Sequence, residues 1–366
     1  MYIYQYQGWP AFQWNTDEIA PSLGKVRHSQ GNILGRMQAL GFDLQEEAIL
    51  QTLTLDVLKS TQIEGENLDP EQVRSSVARR LGIDVAGMVA SNRNVEGVVE
   101  MMLEATQNYG QDLTKDRLFD WHAALFPTGR SGLQKMAVGA WRDQTQEPMQ
   151  VVSGPMGREK VHFQAPEAER IEGEMEKFLQ WFNSDSTIDP VQKAAIAHLW
   201  FVTIHPFDDG NGRIARAITD MQLARADNTE KRFYSMSAQI IQERNAYYSI
   251  LESTQKSDLD ITAWLQWFLS CLQKALHATD DILSAILAKA DFWRKHATTP
   301  LNERQKKMIN KLFDDFFGEL TSSKWAKMMK CSQDTAGRDI QDLVDKAILV
   351  KDLAGGRSTH YSLNKT

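Results

Sequence analysis

Thirteen consecutive residues hold most of the side chains in this chain of 366 that could do chemistry together: Ile204-His205-Pro206-Phe207-Asp208-Asp209-Gly210-Asn211-Gly212-Arg213-Ile214-Ala215-Arg216. His205 is the one nearby group whose ordinary pKa lets it accept a proton near neutrality. Asp209 offers a hard oxygen ligand, and Mg²⁺ takes one or two carboxylates while phosphate oxygens and water fill its shell. The Gly210-Asn211-Gly212 turn lets backbone approach a ligand closely. A helix starting there would aim unpaired N–H groups and its dipole at an anion. Arg213 and Arg216, three residues apart, project from neighbouring positions of one helix face and suit a polyphosphate better than a single carboxylate. A base, a metal carboxylate, an anion-binding turn and two arginines describe a phosphoryl- or nucleotidyl-transfer site. Any one of them alone reads more simply as a helix corner with surface arginines, but packing does not ask for all of them within twelve residues. Phe207, an aromatic inside a polar loop, is expected to anchor that loop in the core.

Most of the chain reads as helix, and two helices must position this segment. Apolar spacing predicts one over Val191–Ile204, ending where Pro206 biases His205 out of the helical region. A second starts near Gly212 and runs through Leu223, with Ile214, Ala217, Ile218 and Met221 on its apolar face. Three- and four-residue spacing also marks Leu50–Leu58, Ile171–Phe182 and Ile261–Leu269. Met149–Ser153 and Val161–Phe163 are β-prone, with Gly154, Pro155 and Gly157 between them. They predict a hairpin, the one clear β feature before residue 300. Residues 1–14 read as an extended arm, and Thr298–Pro300 as a linker. Helical stretches near 303–317, 322–330 and 332–346 then precede Ile348–Leu353, a turn at Ala354–Arg357, and Thr359–Leu363. That is the pattern of a winged helix-turn-helix.

Composition narrows the function classes. With 42% hydrophobic residues the chain can bury a sizeable core. It has no apolar run near the ~20 residues of a membrane-spanning helix and no basic-then-apolar leader pattern, which points to a cytoplasmic, non-membrane protein. Cys271 and Cys331 are the two cysteines and read as reduced thiols rather than a disulfide or metal site. Residues 300–366 hold 12 Lys and Arg against 9 Asp and Glu, whereas residues 1–299 hold 29 against 39. The bulk of the chain is therefore no nucleic-acid binder by its field. His198, beside Trp200 and Phe201, reads as a core histidine.

His205–Arg216, HPFDDGNGRIAR, matches the Fic signature HxFx(D/E)GNGRxxR at every specified position, and the chain resembles the Fic family. Gly139-Ala140-Trp141-Arg142 and Val161-His162-Phe163 are similar to the family's segments before and across its flap. The resemblance implies a mainly α fold: a Fic-type helical core with a β-hairpin flap, an N-terminal helical region and a C-terminal winged helix. The boundaries are 1–90, 91–298 and 299–366. It implies an AMP transferase that uses Mg-ATP and modifies a hydroxyl of a protein, itself included. By this resemblance His205 takes the proton from the target hydroxyl and Asp209 holds Mg²⁺. Gly210, Asn211 and Gly212 cradle phosphate oxygens. Arg213 and Arg216 neutralise the β- and γ-phosphates.

Ser60-Thr61-Gln62-Ile63-Glu64-Gly65, at the predicted end of the helix through Leu50–Ile63, is similar to the family's inhibitory pattern (S/T)xxxE(G/N). The resemblance implies that Glu64 pairs with Arg216 and that Ser60 belongs to the same device. It further implies that Val151, Val152 and Ser153 align a protein substrate by strand addition, that Asn245 and Tyr248 border the nucleoside, and that the chain forms a homodimer. Four aspartates in Ser332–Asp345 favour protein docking or dimerisation over DNA for the winged helix. Two alternatives stand beside this reading. One is a nucleotide-sensing regulator with a DNA-binding winged helix. The other is a Fic enzyme that moves a different phosphoryl or nucleotidyl group, or removes AMP.

Overall fold

Helix α7 (Pro190–Ile204) carries apolar or small residues on every face, and every residue from Val191 to Ile204 is buried. A helix that is apolar all round belongs in the middle of a core. It starts cleanly because Pro190 sits at its first position and Asp189 accepts the Val191 N–H at 2.8 Å. Its main partner is α8 (Asn211–Asp227), with Ile214, Ala217, Ile218 and Met221 all buried as the sequence predicts. The start at Asn211 is one residue earlier than expected and the end four residues later.

The computed structural model describes residues 1–83, 88–132, 134–143, 148–154, 158, 160–313, 318–352 and 359–364. The protein is mainly helical. Around the central pair lie α1 (Thr16–Gln38), α2 (Phe42–Ile63), α3 (Pro70–Leu81), α4 (Arg93–Gln107), α5 (Lys115–Leu125) and α6 (Ala168–Asn183). They are followed by α9 (Met236–Gln242), α10 (Arg244–Gln255) and α11 (Thr262–Lys295). α2 packs on α9 and α3, α6 on α7, and α4 on both α5 and α8. Gly97 permits the α4–α5 approach, since a Cβ there would sit 1.8 Å from the Ala124 carbonyl oxygen.

Among the described residues, four short strands precede α6. Arg130–Ser131 (β1) and Gln134–Lys135 (β2) form a two-residue antiparallel ladder that the sequence does not signal, because runs this short have no periodicity to read. Gln150–Ser153 (β3) and Lys160–Gln164 (β4) form the expected hairpin, with an irregularity between Val151 and Val152. Of the turn residues read from the sequence, Gly154 has positive φ, while Pro155 and Gly157 lie outside the described residues. The N-terminal arm is less extended than predicted: Ile3–Gln5 is a 3₁₀ turn, and Tyr2 and Tyr4 set their rings against Phe163 of β4. Gln13 bridges to Asp260 just before α11.

The chain divides into two units, Met1–Ile282 and Leu283–Thr366. That boundary lies inside α11, upstream of the Thr298–Pro300 segment that the sequence suggests as a linker. The second unit contains α12 (Glu303–Phe313), α13 (Ser322–Met329), α14 (Gln333–Asp345) and an antiparallel pair, β5 (Leu349–Lys351) and β6 (Tyr361–Leu363). Residues 314–317, the far end of the first predicted helix, lie outside the described residues, as do Leu353 and the predicted turn Ala354–Arg357. One of the four aspartates on α14 faces inward: Asp339 is buried and receives Arg304 at 2.8 and 3.1 Å, whereas the Asp342 side chain, which receives Gln305 at 2.7 Å, is 46% exposed. Asp339 therefore adds little to an outward acidic field.

No helix among the described residues is long and apolar enough to cross a membrane. Trp325 is fully buried among Met308, Ile309, Ile340, Leu343 and Ile348 in a core of the second unit's own. Trp325→Ala is expected to destabilise that unit by about 3–5 kcal/mol, read from urea unfolding followed by near-UV circular dichroism.

Candidate active site

His205 is where α7 stops. Its φ of 53° and ψ of 59° place it in the left-handed region, and its N–H still closes the last turn onto the Phe201 carbonyl at 3.0 Å. A bulky residue with positive φ is uncommon and needs surroundings that hold it. Those surroundings are visible: Arg142 donates from Nε to the His205 carbonyl at 2.8 Å and from Nη2 to the Pro166 carbonyl at 2.5 Å. The Arg142 N–H also reaches the Pro206 carbonyl at 2.9 Å. His205 Nδ1 lies 3.3 Å from the Val202 carbonyl, which can only accept. Nδ1 therefore carries the ring proton and Nε2 keeps a free lone pair. Burial pushes the imidazole down to about 4, although the Val202 carbonyl favours the charged form.

The loop after His205 is held from both sides. Phe207 is fully buried and stacks on His122 with ring centroids 4.2 Å apart, while Trp141 covers it at 5.0 Å. The predicted anchoring role of Phe207 is thus met, and His122 is its partner. Asn211, read from the sequence as cradling phosphate oxygens, does something else with its side chain. Its Oδ1 accepts the Phe207 N–H at 3.0 Å and its Nδ2 donates to the Phe207 carbonyl at 2.8 Å. Buried and committed to both groups, that side chain is a brace across the turn.

Gly210 caps α8 with φ of 81°, and a Cβ there would meet the Phe126 ring at 2.9 Å. Arg213 and Arg216 are both buried, and Arg213 lies 5.0 Å over the Phe126 ring. Each keeps a buried N–H without a protein acceptor: Nε of Arg213 and Nη1 of Arg216. Unpaired guanidinium donors beside a helix N-terminus are what an anion site requires. Asp209 is 44% exposed. Its Oδ1 lies 3.9 Å from Arg213 Nη2, and Ser131 donates to its Oδ2.

Glu64 reaches this site from the end of α2. Its carboxylate pairs with Arg216 Nη2 at 2.8 Å and lies so close to the start of α8 that a Cβ on Gly212 would stand 2.3 Å from Oε1. Ser60 supports the same guanidinium, accepting Nε on its hydroxyl at 2.9 Å and Nη2 on its carbonyl at 2.8 Å. Burial works against the charge of Arg216, yet the Glu64 carboxylate outweighs it and holds the guanidinium more firmly protonated than usual. The end of α2 is itself pinned. Arg244 Nε and the Tyr248 hydroxyl donate to the Ile63 carbonyl at 2.8 and 3.3 Å. Tyr248 thus lies beside Glu64, whereas Asn245 is exposed on the next position of α10.

Several contributors escape sequence reasoning. Glu66 lies 3.4 Å from Arg213 Nη1, a second carboxylate two residues after Glu64. His122 is 85 positions from Phe207 with no local signal. Arg244 looks like any surface arginine before its partner is known. On the hairpin, Val152 is 47% exposed, and the Ser153 hydroxyl lies 2.6 Å from His162, whose other ring nitrogen meets Glu252 at 2.6 Å. His198, read as a core histidine, is buried between Thr219 and Tyr247 at 2.9 and 2.8 Å.

Residues 112–223 match the Fic/DOC family model. The chain carries a Fic/DOC domain. Residues 2–83, which include Ser60 and Glu64, match a domain of unknown function (DUF4172). Over 114 residues the chain is 37% identical to a protein of Drosophila yakuba named protein adenylyltransferase Fic, a match covering 30% of this chain and 21% of that protein. It thus spans about a fifth of the length of the curated relatives it matches. A Fic family protein from Desulfovibrio desulfuricans G20 superposes with a TM-score of 0.55 at 21% identity, over 98% of each chain. A Fic domain containing signaling protein from Bacteroides thetaiotaomicron VPI-5482 does so with a TM-score of 0.52 at 20% identity, over 73% of this chain and 97% of that one. These two likenesses establish the fold. Within the Fic/DOC domain lie His205, Asp209 and both arginines, and outside it lie Glu64, Tyr248 and Arg244.

The geometry of His205 makes a direct prediction. In a two-dimensional NMR titration its ring should stay neutral as the Nδ1–H tautomer down to about pH 5 and inflect near pH 4.

Proposed function

We propose that this chain is an autoinhibited protein adenylyltransferase, moving AMP from Mg-ATP to a hydroxyl of a protein. The observation that carries the reading is the Glu64 carboxylate held 2.8 Å from Arg216, over the N-terminus of α8. A carboxylate in that position neutralises a cation and occupies space that a terminal phosphate needs. ATP then finds one arginine engaged and its own negative charge opposed.

In the active arrangement Glu64 leaves Arg216. The α8 N–H groups, Arg213 and Arg216 then bind the phosphates, and the buried N–H of each arginine gains an acceptor. His205 Nε2 removes the proton from the acceptor hydroxyl as its oxygen attacks the α-phosphorus. The bond to pyrophosphate breaks, and the two guanidinium groups stabilise the charge that leaves. Asp209, exposed and next to the phosphate site, suits a Mg²⁺ ion that takes one carboxylate and otherwise phosphate oxygens and water. When bound, that ion supplies charge neutralisation on the phosphates. β3 pairs on one side only among the described residues, so Val151–Ser153 can receive a strand of the target. Tyr248 and Asn245, beside the end of α2, border the nucleoside in this reading. The second unit is a winged helix-turn-helix that docks protein, and a homodimer is its simplest use.

ATP labelled at the α- or the γ-phosphate tests the reading on the full chain with Mg²⁺ and a cell lysate. The α-label should appear on protein and rise by about tenfold or more in Glu64→Gly, the factor set by removing a competing interaction of ~1.4 kcal/mol or more. It should fall about 10²-fold or further when His205→Ala is added. Transfer of γ-label alone would make the enzyme a phosphotransferase, and no transfer in Glu64→Gly would remove the enzymatic reading.

A further inference from the structure

The cap that ends α2 carries two carboxylates. Glu64 is the cap residue, and Gly65 follows it with a φ of 87°, in the left-handed region. The Gly65 N–H closes onto the Gln62 carbonyl at 3.0 Å, and the Glu66 N–H reaches back to the Thr61 carbonyl at 3.3 Å. These nested bonds form a Schellman motif, in which a left-handed glycine turns the chain back over the helix end. A side chain at that glycine would strain the turn. Glu64 and Glu66 thus flank one corner, and the backbone bonds of the cap set their relative placement.

That corner meets the first turn of α8. Arg213 and Arg216 are one turn apart there, and both are buried. Glu64 pairs with Arg216 Nη2 at 2.8 Å, and Glu66 Oε2 lies 3.4 Å from Arg213 Nη1. Asp209, on the loop before α8, stands farther from Arg213, with Oδ1 3.9 Å from Nη2. Buried guanidinium groups need compensating charge, and the two acids of the α2 cap meet the two arginines one for one. The two contacts differ in strength. Glu64 is 30% exposed and Glu66 58% exposed, so water and salt screen the second contact more than the first.

We propose that Glu66 is a second inhibitory group, engaging Arg213 while Glu64 engages Arg216, so that one helix cap competes for both phosphate-binding arginines. The inference rests on the inhibitory reading of Glu64 in the function proposed above. A phosphate that displaces Glu64 from Arg216 still meets a carboxylate at Arg213. Removing Glu64 alone therefore leaves part of the inhibition in place. Glu66 touches no reacting atom. It is a positioning residue that acts through Arg213, by deciding whether that guanidinium is free to take a phosphate oxygen.

The test is ATP binding to the full chain with Mg²⁺, measured by isothermal titration calorimetry, which needs neither transfer nor a protein target. Glu66→Gln removes the charge and keeps the backbone bonds of the cap. It should tighten ATP by about two- to fivefold, the range that an exposed ion pair supports. The gain should appear in wild type and again in Glu64→Gly. It should shrink between about 0.1 M and about 1 M salt, as the Debye length falls from about 10 to about 3 Å. Once Arg213 is gone Glu66 has nothing to engage, so in Arg213→Gln the Glu66→Gln change should leave ATP binding as it is. An unchanged affinity in Glu66→Gln, or a gain that survives Arg213→Gln, overturns the second contact. If Arg213→Gln binds ATP too weakly to measure or does not fold, the Arg213 guanidinium ¹⁵N–¹H resonance of the ATP-free chain decides. A shift of that resonance in Glu66→Gln supports the contact, and an unchanged resonance overturns it. If Glu64→Gly fails to tighten ATP, the inhibitory reading of Glu64 falls, and the Glu66→Gln comparison still judges the contact at Arg213.

Discussion

A guanidinium buried to 2% exposure makes demands that the rest of the site answers. Arg216 cannot shed its proton, so inside the protein it must be surrounded by acceptors. Ser60 supplies a hydroxyl and a carbonyl, and Glu64 supplies the opposite charge. All three acceptors belong to the last turn of α2 or its cap. The need to satisfy one side chain of α8 therefore draws the end of another helix across the N-terminus of α8. It also leaves Nη1 without a partner, so the pairing is incomplete by one hydrogen bond.

The corner between α7 and α8 achieves two things with few residues. The C-terminal end of α7 holds His205 in a left-handed conformation with one ring nitrogen tied to the Val202 carbonyl, which sets the tautomer. The N-terminal end of α8, a few residues on, presents unpaired N–H groups and two arginines. A six-residue connection that must be this exact in shape is reinforced at each step. Asn211 ties both backbone groups of Phe207, the His122 and Trp141 rings enclose Phe207, and Arg142 ties His205 and Pro206 to the segment that precedes the hairpin. Rigid support of this kind matters where catalysis depends on placement.

Much was legible before any coordinates. The helices around the corner, the hairpin at 149–163 and the three helices with two strands after residue 300 follow from local patterns: apolar spacing, Pro and Gly punctuation, and β-branched runs. The β1–β2 ladder was not legible, because two residues have no period. The arm at residues 1–14 looked extended because its aromatic and polar residues carry no helical spacing, yet its rings find Phe163 and tighten it into a 3₁₀ turn. A Thr-Thr-Pro segment looks like a linker, but packing divides the chain inside α11.

By itself, the sequence determined the chemistry available: a base, a carboxylate, a glycine turn and two arginines at helical spacing, within one segment whose local conformation those same residues dictate. Only the tertiary structure decided which groups from elsewhere in the chain meet that segment and support it. The Glu64 contact joins residues 152 positions apart, and the Asn211 side chain braces the turn through both backbone groups of Phe207. The reason is physical. Backbone propensity and periodicity act over a turn or two and can be read along the chain. Which buried charge finds which partner is set by where helices pack, and that depends on the whole core at once.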